Sequence, residues 1–320
     1  MADAMVVDSS APSTSVNPTI VDDKSPICIP FILKRLALHR QHHPSSPFFI
    51  GLNGVQGAGK TTLVSALSNT LRTQEHLETL VVSIDDFYLP HKAQETLARE
   101  HKDNPLVQHR GEPGTHDVAF LKSFFEALRD GKETKVPIYD KSAFQGQGDR
   151  VSEDKWQVVN APSQPRIRVV IFEGWCVGFR AISTAEVKIK QDVAKVAAGT
   201  STQVKTLQKN RLEDLLFVNE KLRAYDTITD MFDAFIHIDA EETGYVYEWR
   251  LQQEAALRKE RGTGMTDEQV IRFVDGYYPA YELYTEALRT GVAADKEAKR
   301  GSQLRMVVGK DRRVKHVFEL

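Results

Sequence analysis

Short apolar runs recur along the chain, and between them apolar positions return every three or four residues. The runs cover residues 48–52, 77–84, 167–172, 234–238 and 304–308. Each is short and rich in Val, Ile, Leu and Phe, and several are apolar at successive positions rather than alternate ones. That pattern predicts strands buried on both faces of a sheet. A last segment, His316-Val317-Phe318-Glu319-Leu320, is a candidate for one more strand.

The intervening stretches predict helices. Leu63, Ala66, Leu67, Thr70 and Leu71 fall on one stripe, and Val118, Leu121, Phe124, Phe125 and Leu128 on another that stops near Gly131. Residues 26–42 place Ile32, Leu36 and Leu38 among Lys34, Arg35 and Arg40, an extra helix against the sheet. Residues 211–224 are amphipathic, and residues 241–261 form a long charged helix. Thr266 and Gln269 have capping-box spacing, and one helix is predicted from there through Val270, Phe273, Tyr277 and Tyr281. Residues 132–165 read as irregular, and residues 181–209 as a weakly periodic surface insertion. Strands alternating with helices predict an α/β fold: a mostly parallel sheet with helices on both faces, plus a helical lid and insertion. One domain is expected over residues 25–320, with the lid at 241–265. Residues 1–24, rich in Ser, Thr, Pro and Asp, are expected to be a disordered tail.

Composition narrows the classes. Hydrophobic residues make up 41% of the 320, enough for a substantial core. The net charge of -2 gives no reason to expect a nucleic-acid or anionic-membrane partner. The two cysteines, Cys28 and Cys176, are no disulfide framework, so a reducing compartment is expected. No run approaches a membrane span. The first residues contain Asp3, Asp8, Asp22 and Asp23, no arginine and no signal-peptide core. A cytoplasmic protein is expected. His39, His42 and His43 cluster without a carboxylate or cysteine at ligand spacing, and are expected to be a solvated helix end.

Between the first run and its helix lie Gly54, Val55, Gln56, Gly57, Ala58, Gly59, Lys60 and Thr61, followed by Thr62. They fit G-x-x-x-x-G-K-[ST] in the strand–loop–helix context that a phosphate-binding loop needs. Glycines let backbone N–H groups approach phosphate oxygens, and the helix presents its positive end to them. Lys60 can reach the β- and γ-phosphates, and the Thr61 hydroxyl can ligate Mg²⁺; ATP and Mg²⁺ are the expected cofactors. In such sheets ligands sit beyond the carboxyl ends of the strands. That rule nominates Asp85 and Asp86 after the second run and Glu173 after the third. Asp85 suits a base or a Mg²⁺ ligand, and Glu173 an acid that holds Mg²⁺. The alternatives are a turn pair for the aspartates and a surface residue for the glutamate. Residues 109–117, HRGEPGTHD, are dense in anion- and hydroxyl-binding groups. Arg110 suits a bidentate clamp on a carboxylate, while Thr115-His116-Asp117 also suits helix capping. Trp175 reads as packing and Cys176 as a small buried residue. Arg250 and Arg258 on the charged helix are candidates to close over the γ-phosphate, and residues 311–313 to flank the adenine.

Residues 83–90 (SIDDFYLP), 109–117, 137–142 (PIYDKS), 169–180 (VVIFEGWCVGFR) and 264–284 together resemble the D-glycerate 3-kinase family, plant and fungal type. That family is related to phosphoribulokinases, uridine kinases and bacterial-type pantothenate kinases. The resemblance runs from the P-loop almost to the C-terminus. It implies transfer of phosphate from MgATP to D-glycerate, giving 3-phosphoglycerate. Lys60 and Thr61 match the P-loop ligands, Asp85 the base and Glu173 the acid after its strand. Asp86, Tyr88, His109, Arg110, His116, Tyr139 and Lys141 fall where the acceptor is held. The plastid-type leader of the plant enzymes is missing, which points to a cytosolic, fungal-type member. Two alternatives remain open: a related kinase acting on an acceptor such as uridine or pantothenate, and an ATP-binding switch without acceptor chemistry. No N-K-x-D or LSGGQ signature is present to favour a GTPase or a transporter ATPase.

Overall fold

The computed structural model describes residues 22–197, 206–295 and 297–320. Ten strands lie within them: β1 (Phe48–Gly54), β2 (Thr79–Ser83), β3 (Thr134–Val136), β4 (Tyr139–Asp140), β5 (Asp149–Arg150), β6 (Gln157–Val159), β7 (Val169–Gly174), β8 (Ala234–Ala240), β9 (Gln303–Val308) and β10 (Val314–Glu319). The helices are α1 (Ser25–His42), α2 (Lys60–Thr73), α3 (His91–Glu100), α4 (Val118–Arg129), α5 (Thr184–Ala197), α6 (Leu212–Leu222), α7 (Asp226–Thr229), α8 (Tyr245–Arg261), α9 (Asp267–Asp275) and α10 (Tyr278–Arg289).

Six strands form the central sheet in the order β10-β9-β8-β1-β7-β2. All neighbours pair in parallel except β9 and β10. β1 and β8 are buried at every position, so both faces of the sheet are covered, as runs without alternation require. Phe49 stacks on Phe125 and Phe172 meets Phe125 edge-on in one part of that core, with ring centroids 5.5 and 4.9 Å apart. The pairs β3–β6 and β4–β5 form two separate two-stranded antiparallel sheets.

Several expectations need correction. The helix read through Tyr281 is two helices. The capping box at Thr266 starts α9, but the chain turns at Gly276 and Tyr277 and begins again at Tyr278, with a proline in its first turn. Residues 132–165 are mostly irregular, as expected, and within them lie the short strands of both small sheets. The segment 184–197 of the expected insertion is the helix α5, with Val187, Gln191 and Ala194 buried. Residues 198–205 of that insertion, and 1–21 of the expected tail, lie outside the described residues. At the tail's described end, Asp23 accepts the Val314 N–H at 2.7 Å, and the Lys24 ammonium donates to the Arg312 carbonyl at 2.6 Å.

His39 is not solvated. It is buried, with Nδ1 3.1 Å from Asp233 and Nε2 3.2 Å from the Ser46 carbonyl oxygen. Burial works against its charged form, but Asp233 prevails and its pKa lies above the usual histidine range. Both cysteines are buried and free. No helix among the described residues is long and apolar enough to cross a membrane.

Candidate active site

Strand register alone brings the nominated groups together. Glu173 in β7 lies directly between Leu52 of β1 and Ser83 of β2. Neighbouring strands are about 4.8 Å apart, so the carboxyl ends of three strands open side by side. From β1 the chain enters the P-loop, from β2 the Asp85-Asp86 pair, and from β7 Glu173 itself. A parallel sheet with this order has no other way to point these ends.

The P-loop turns through Gly57 and Gly59, whose φ angles are 84° and 96°. These lie in the left-handed region, where a side chain is strained. At Gly57 space forbids one too, since a Cβ would sit 2.5 Å from that of Trp249 in α8. The loop is held from outside. The Gln56 N–H donates to the Tyr281 hydroxyl at 3.3 Å, and the Arg312 Nε–H donates to the Gly57 carbonyl at 2.7 Å. The Arg312 guanidinium also lies over the Trp249 ring. The Lys60 ammonium folds onto the loop, donating to the Gly54 carbonyl at 2.7 Å. Burial pulls its pKa below the usual lysine range, while Glu173 and Asp85, both close enough to act on it, oppose that pull. Thr61 and Thr62 are exposed on the first turn of α2.

Ser83 caps the turn that follows β2 by accepting the Asp85 N–H. The Asp85 carboxylate lies 2.5 Å from the Lys141 ammonium. Burial works to raise the Asp85 pKa, but Lys141, with His116 and Lys60 nearby, holds it below the usual carboxylate range. Asp86 accepts the Tyr139 N–H at 3.2 Å. Burial is the main reason its pKa is pushed up to about 6. Tyr88 stacks on His116 at 4.3 Å and meets Tyr139 edge-on.

Not every nominated residue joins this cluster. His109 is exposed, and no described hydrogen bond or ion pair links it to the others. Arg110 is not a free clamp. Its Nη atoms donate to the carbonyls of Gly146, Gln147 and Lys141, so it holds the turn that carries Lys141. Arg258 donates to the Met265 carbonyl and pairs with Asp267 at 2.7 Å. Arg250 bonds Gln253 and Glu254 and covers the Phe273 ring. Both arginines therefore fasten α8 to α9 here, and none of the described contacts joins them to Lys60.

Some groups at the site carried no sequence signal. Trp249 and Tyr281 reach the P-loop from elements far along the chain, and so does Arg312, which the sequence had nominated for the adenine and not for this loop. Tyr225, in the turn between α6 and α7, contacts both His116 and Gly114. Glu112 is buried with neither carboxylate oxygen hydrogen-bonded, and burial pushes its pKa well above the usual range. Nothing in the local sequence of that glycine–proline loop signals the burial of its glutamate.

Residues 49–209 match the phosphoribulokinase / uridine kinase family. The chain belongs to that family. It is a kinase, a phosphotransferase that acts on an alcohol group. It is 41% identical over 258 residues to the uncharacterized kinase mug58 of Schizosaccharomyces pombe, covering 80% of this chain and 87% of that one. It is 35% identical over 263 residues to the chloroplastic D-glycerate 3-kinase of Arabidopsis thaliana, covering 79% of this chain and 52% of the relative. Among solved structures, the D-glycerate 3-kinase of Cryptococcus neoformans superposes with a TM-score of 0.81 at 33% identity, covering 92% of this chain and 99% of that one.

Proposed function

We propose that this kinase uses MgATP to phosphorylate D-glycerate, giving 3-phosphoglycerate. The observation that carries the reading is the Asp85 carboxylate, paired with the Lys141 ammonium at 2.5 Å and within electrostatic reach of Lys60. One carboxylate is then held ionised by a cation on the hairpin of residues 139–150 and by the P-loop lysine. Two relatives named D-glycerate 3-kinase support the choice of acceptor.

The residues present fit both cofactors. Gly57 and Gly59 give the loop the turn a phosphate cradle needs, and a Cβ added at Gly59 would meet nothing within 4 Å. Thr61, Asp85 and Glu173 are hard oxygen donors of the kind Mg²⁺ takes alongside phosphate oxygens. When bound, MgATP supplies the transferable phosphoryl group and positive charge beside it. Lys60 leaves the Gly54 carbonyl to neutralise phosphate oxygens where charge builds. Asp85, kept ionised by its cations, orients the attacking hydroxyl and accepts its proton. Glu173 would supply a carboxylate to Mg²⁺. Lys141 takes the acceptor's carboxylate, Tyr88 and Tyr139 wall the acceptor, and Arg110 fixes the hairpin. The region 241–265 closes over the phosphates as a lid, with Arg250 or Arg258 released from its α9 partners.

An acceptor panel at fixed MgATP tests this: D-glycerate, L-glycerate, uridine and pantothenate, with ADP release followed. D-Glycerate should exceed the others by at least about tenfold in kcat/KM. Turnover of uridine or pantothenate in its place reassigns the acceptor. ATP binding with no acceptor turned over favours the switch reading.

A further inference from the structure

The tautomer of His116 can be worked out from its hydrogen-bond partners. Its Nδ1 lies 2.8 Å from the Tyr225 hydroxyl. The same hydroxyl oxygen accepts the Gly114 N–H at 3.1 Å. A backbone N–H can only donate, so the direction of that bond is fixed. Tyr225 has one proton left, and it is buried at 5% exposure. If His116 carried its proton on Nδ1, the phenol oxygen would take two donors and its own O–H would be buried unpaired. That costs about 1–3 kcal/mol. If Tyr225 donates to Nδ1, each of these atoms is matched. The imidazole is then neutral, with its proton on Nε2.

That leaves Nε2–H. His116 is 4% exposed, and Nε2 has no hydrogen-bond partner. The ring cannot turn away, because Tyr88 stacks on one face and Tyr225 meets it edge-on at 5.7 Å. Burial takes its pKa down to about 4, with Asp85 opposing, so the ring stays uncharged at neutral pH. Tyr88, three residues after Asp85, pairs with His116 as an antiparallel bridge, and the Asp117 N–H donates to the Phe87 carbonyl at 2.8 Å, so the ring lies against the turn that carries Asp85, the carboxylate assigned to the reacting hydroxyl. A donor on the reacting oxygen itself would blunt the nucleophile. A carboxylate would call for a cation, which Lys141 supplies from the hairpin. A neutral, immobile N–H packed against the turn that carries Asp85 suits a second hydroxyl, next to the one that is phosphorylated.

We propose that His116 is a fixed neutral donor, its tautomer set by Tyr225 and the Gly114 N–H, and that it selects acceptors bearing a non-reacting hydroxyl beside the reacting one. The inference rests on the glycerate-kinase reading for its acceptor, but not for the tautomer. Tyr225 acts through His116 and is a positioning residue.

Two measurements on the full chain test it. The first is the ¹⁵N spectrum of the histidine side chains at pH 7.5. His116 should show an unprotonated Nδ1 and a protonated Nε2, and Tyr225→Phe should shift it toward a tautomer mixture. A proton on Nδ1 in the parent protein overturns the proposal, whether or not any acceptor is turned over. The second compares D-glycerate with 3-hydroxypropanoate, which lacks the neighbouring hydroxyl. The parent should prefer D-glycerate by about 10–100-fold in kcat/KM, the cost of a buried donor left unpaired. His116→Ala should remove most of that preference, and His116→Gln, which restores an N–H donor, should recover part of it. An undiminished preference in His116→Ala overturns the role. If no hydroxy acid is turned over while Nε2–H is confirmed, the acceptor assignment fails and the tautomer stands.

Discussion

The two halves of the site are built differently. Around the P-loop the chain makes the working surface from backbone and holds it with its own remote groups: Tyr281 on Gln56, Arg312 and Trp249 on Gly57, and Lys60 folded onto Gly54. On the acceptor side the surface is made from side chains, and polar atoms are buried without partners: both Glu112 carboxylate oxygens, Nε2 of His116 and the Tyr139 hydroxyl. Phosphate is common to many kinases, and a backbone cradle recognises it without discrimination. An acceptor must be told from its analogues, and a buried donor with no protein partner does that by making the wrong ligand costly. Specificity should therefore live in the second half and catalysis at Asp85, where the halves touch.

Lys141→Ala sharpens this contrast. Removing the acceptor-side cation should raise the KM for D-glycerate by about 10–100-fold and leave the KM for ATP within about threefold. Steady-state kinetics at varied ATP and varied acceptor read both. A larger effect on ATP would place Lys141 on the phosphate half and erase the division.

A smaller effect concerns stability. The Asp86 carboxyl is pushed up to about 6 by burial, so ionising it costs the folded state free energy. Its contribution is most favourable below the unfolded value near 4 and is lost as pH rises through 6. Asp86→Asn keeps the oxygen that accepts the Tyr139 N–H and removes the charge. It should stabilise the protein by about 1–2 kcal/mol at pH 7.5 and by little at pH 4, as read by thermal melts at both. Equal effects at the two pH values would mean that Asp86 is not desolvated as its surroundings imply.

The phosphate half was legible in the sequence because it is local: strand, loop and helix lie within residues 48–73, and apolar period and glycine spacing specify them together. Asp85 and Glu173 were legible through a rule of parallel sheets, since only strand ends had to be found. The acceptor half resisted because its determinants are tertiary. Arg110 reads as a clamp until the turn at 146–147 claims its guanidinium. His39 reads as solvated until Asp233 meets it. The break between α9 and α10 was hidden because Tyr277, in the turn, is nonetheless buried against Trp175, keeping the helical stripe intact across the turn. Tyr225 belongs to no pattern at all; its role exists only where α6 and α7 bring it to Gly114.

Whether the two halves serve one reaction is tested most directly by the turnover of Asp85→Asn with saturating MgATP and D-glycerate, in protein shown by titration to bind MgATP. Turnover should fall by about a thousandfold or more, with the ATP affinity within a few-fold of the parent's. Turnover within a few-fold of the parent would remove Asp85 from the chemistry and leave the convergence of the strand ends without a catalytic purpose.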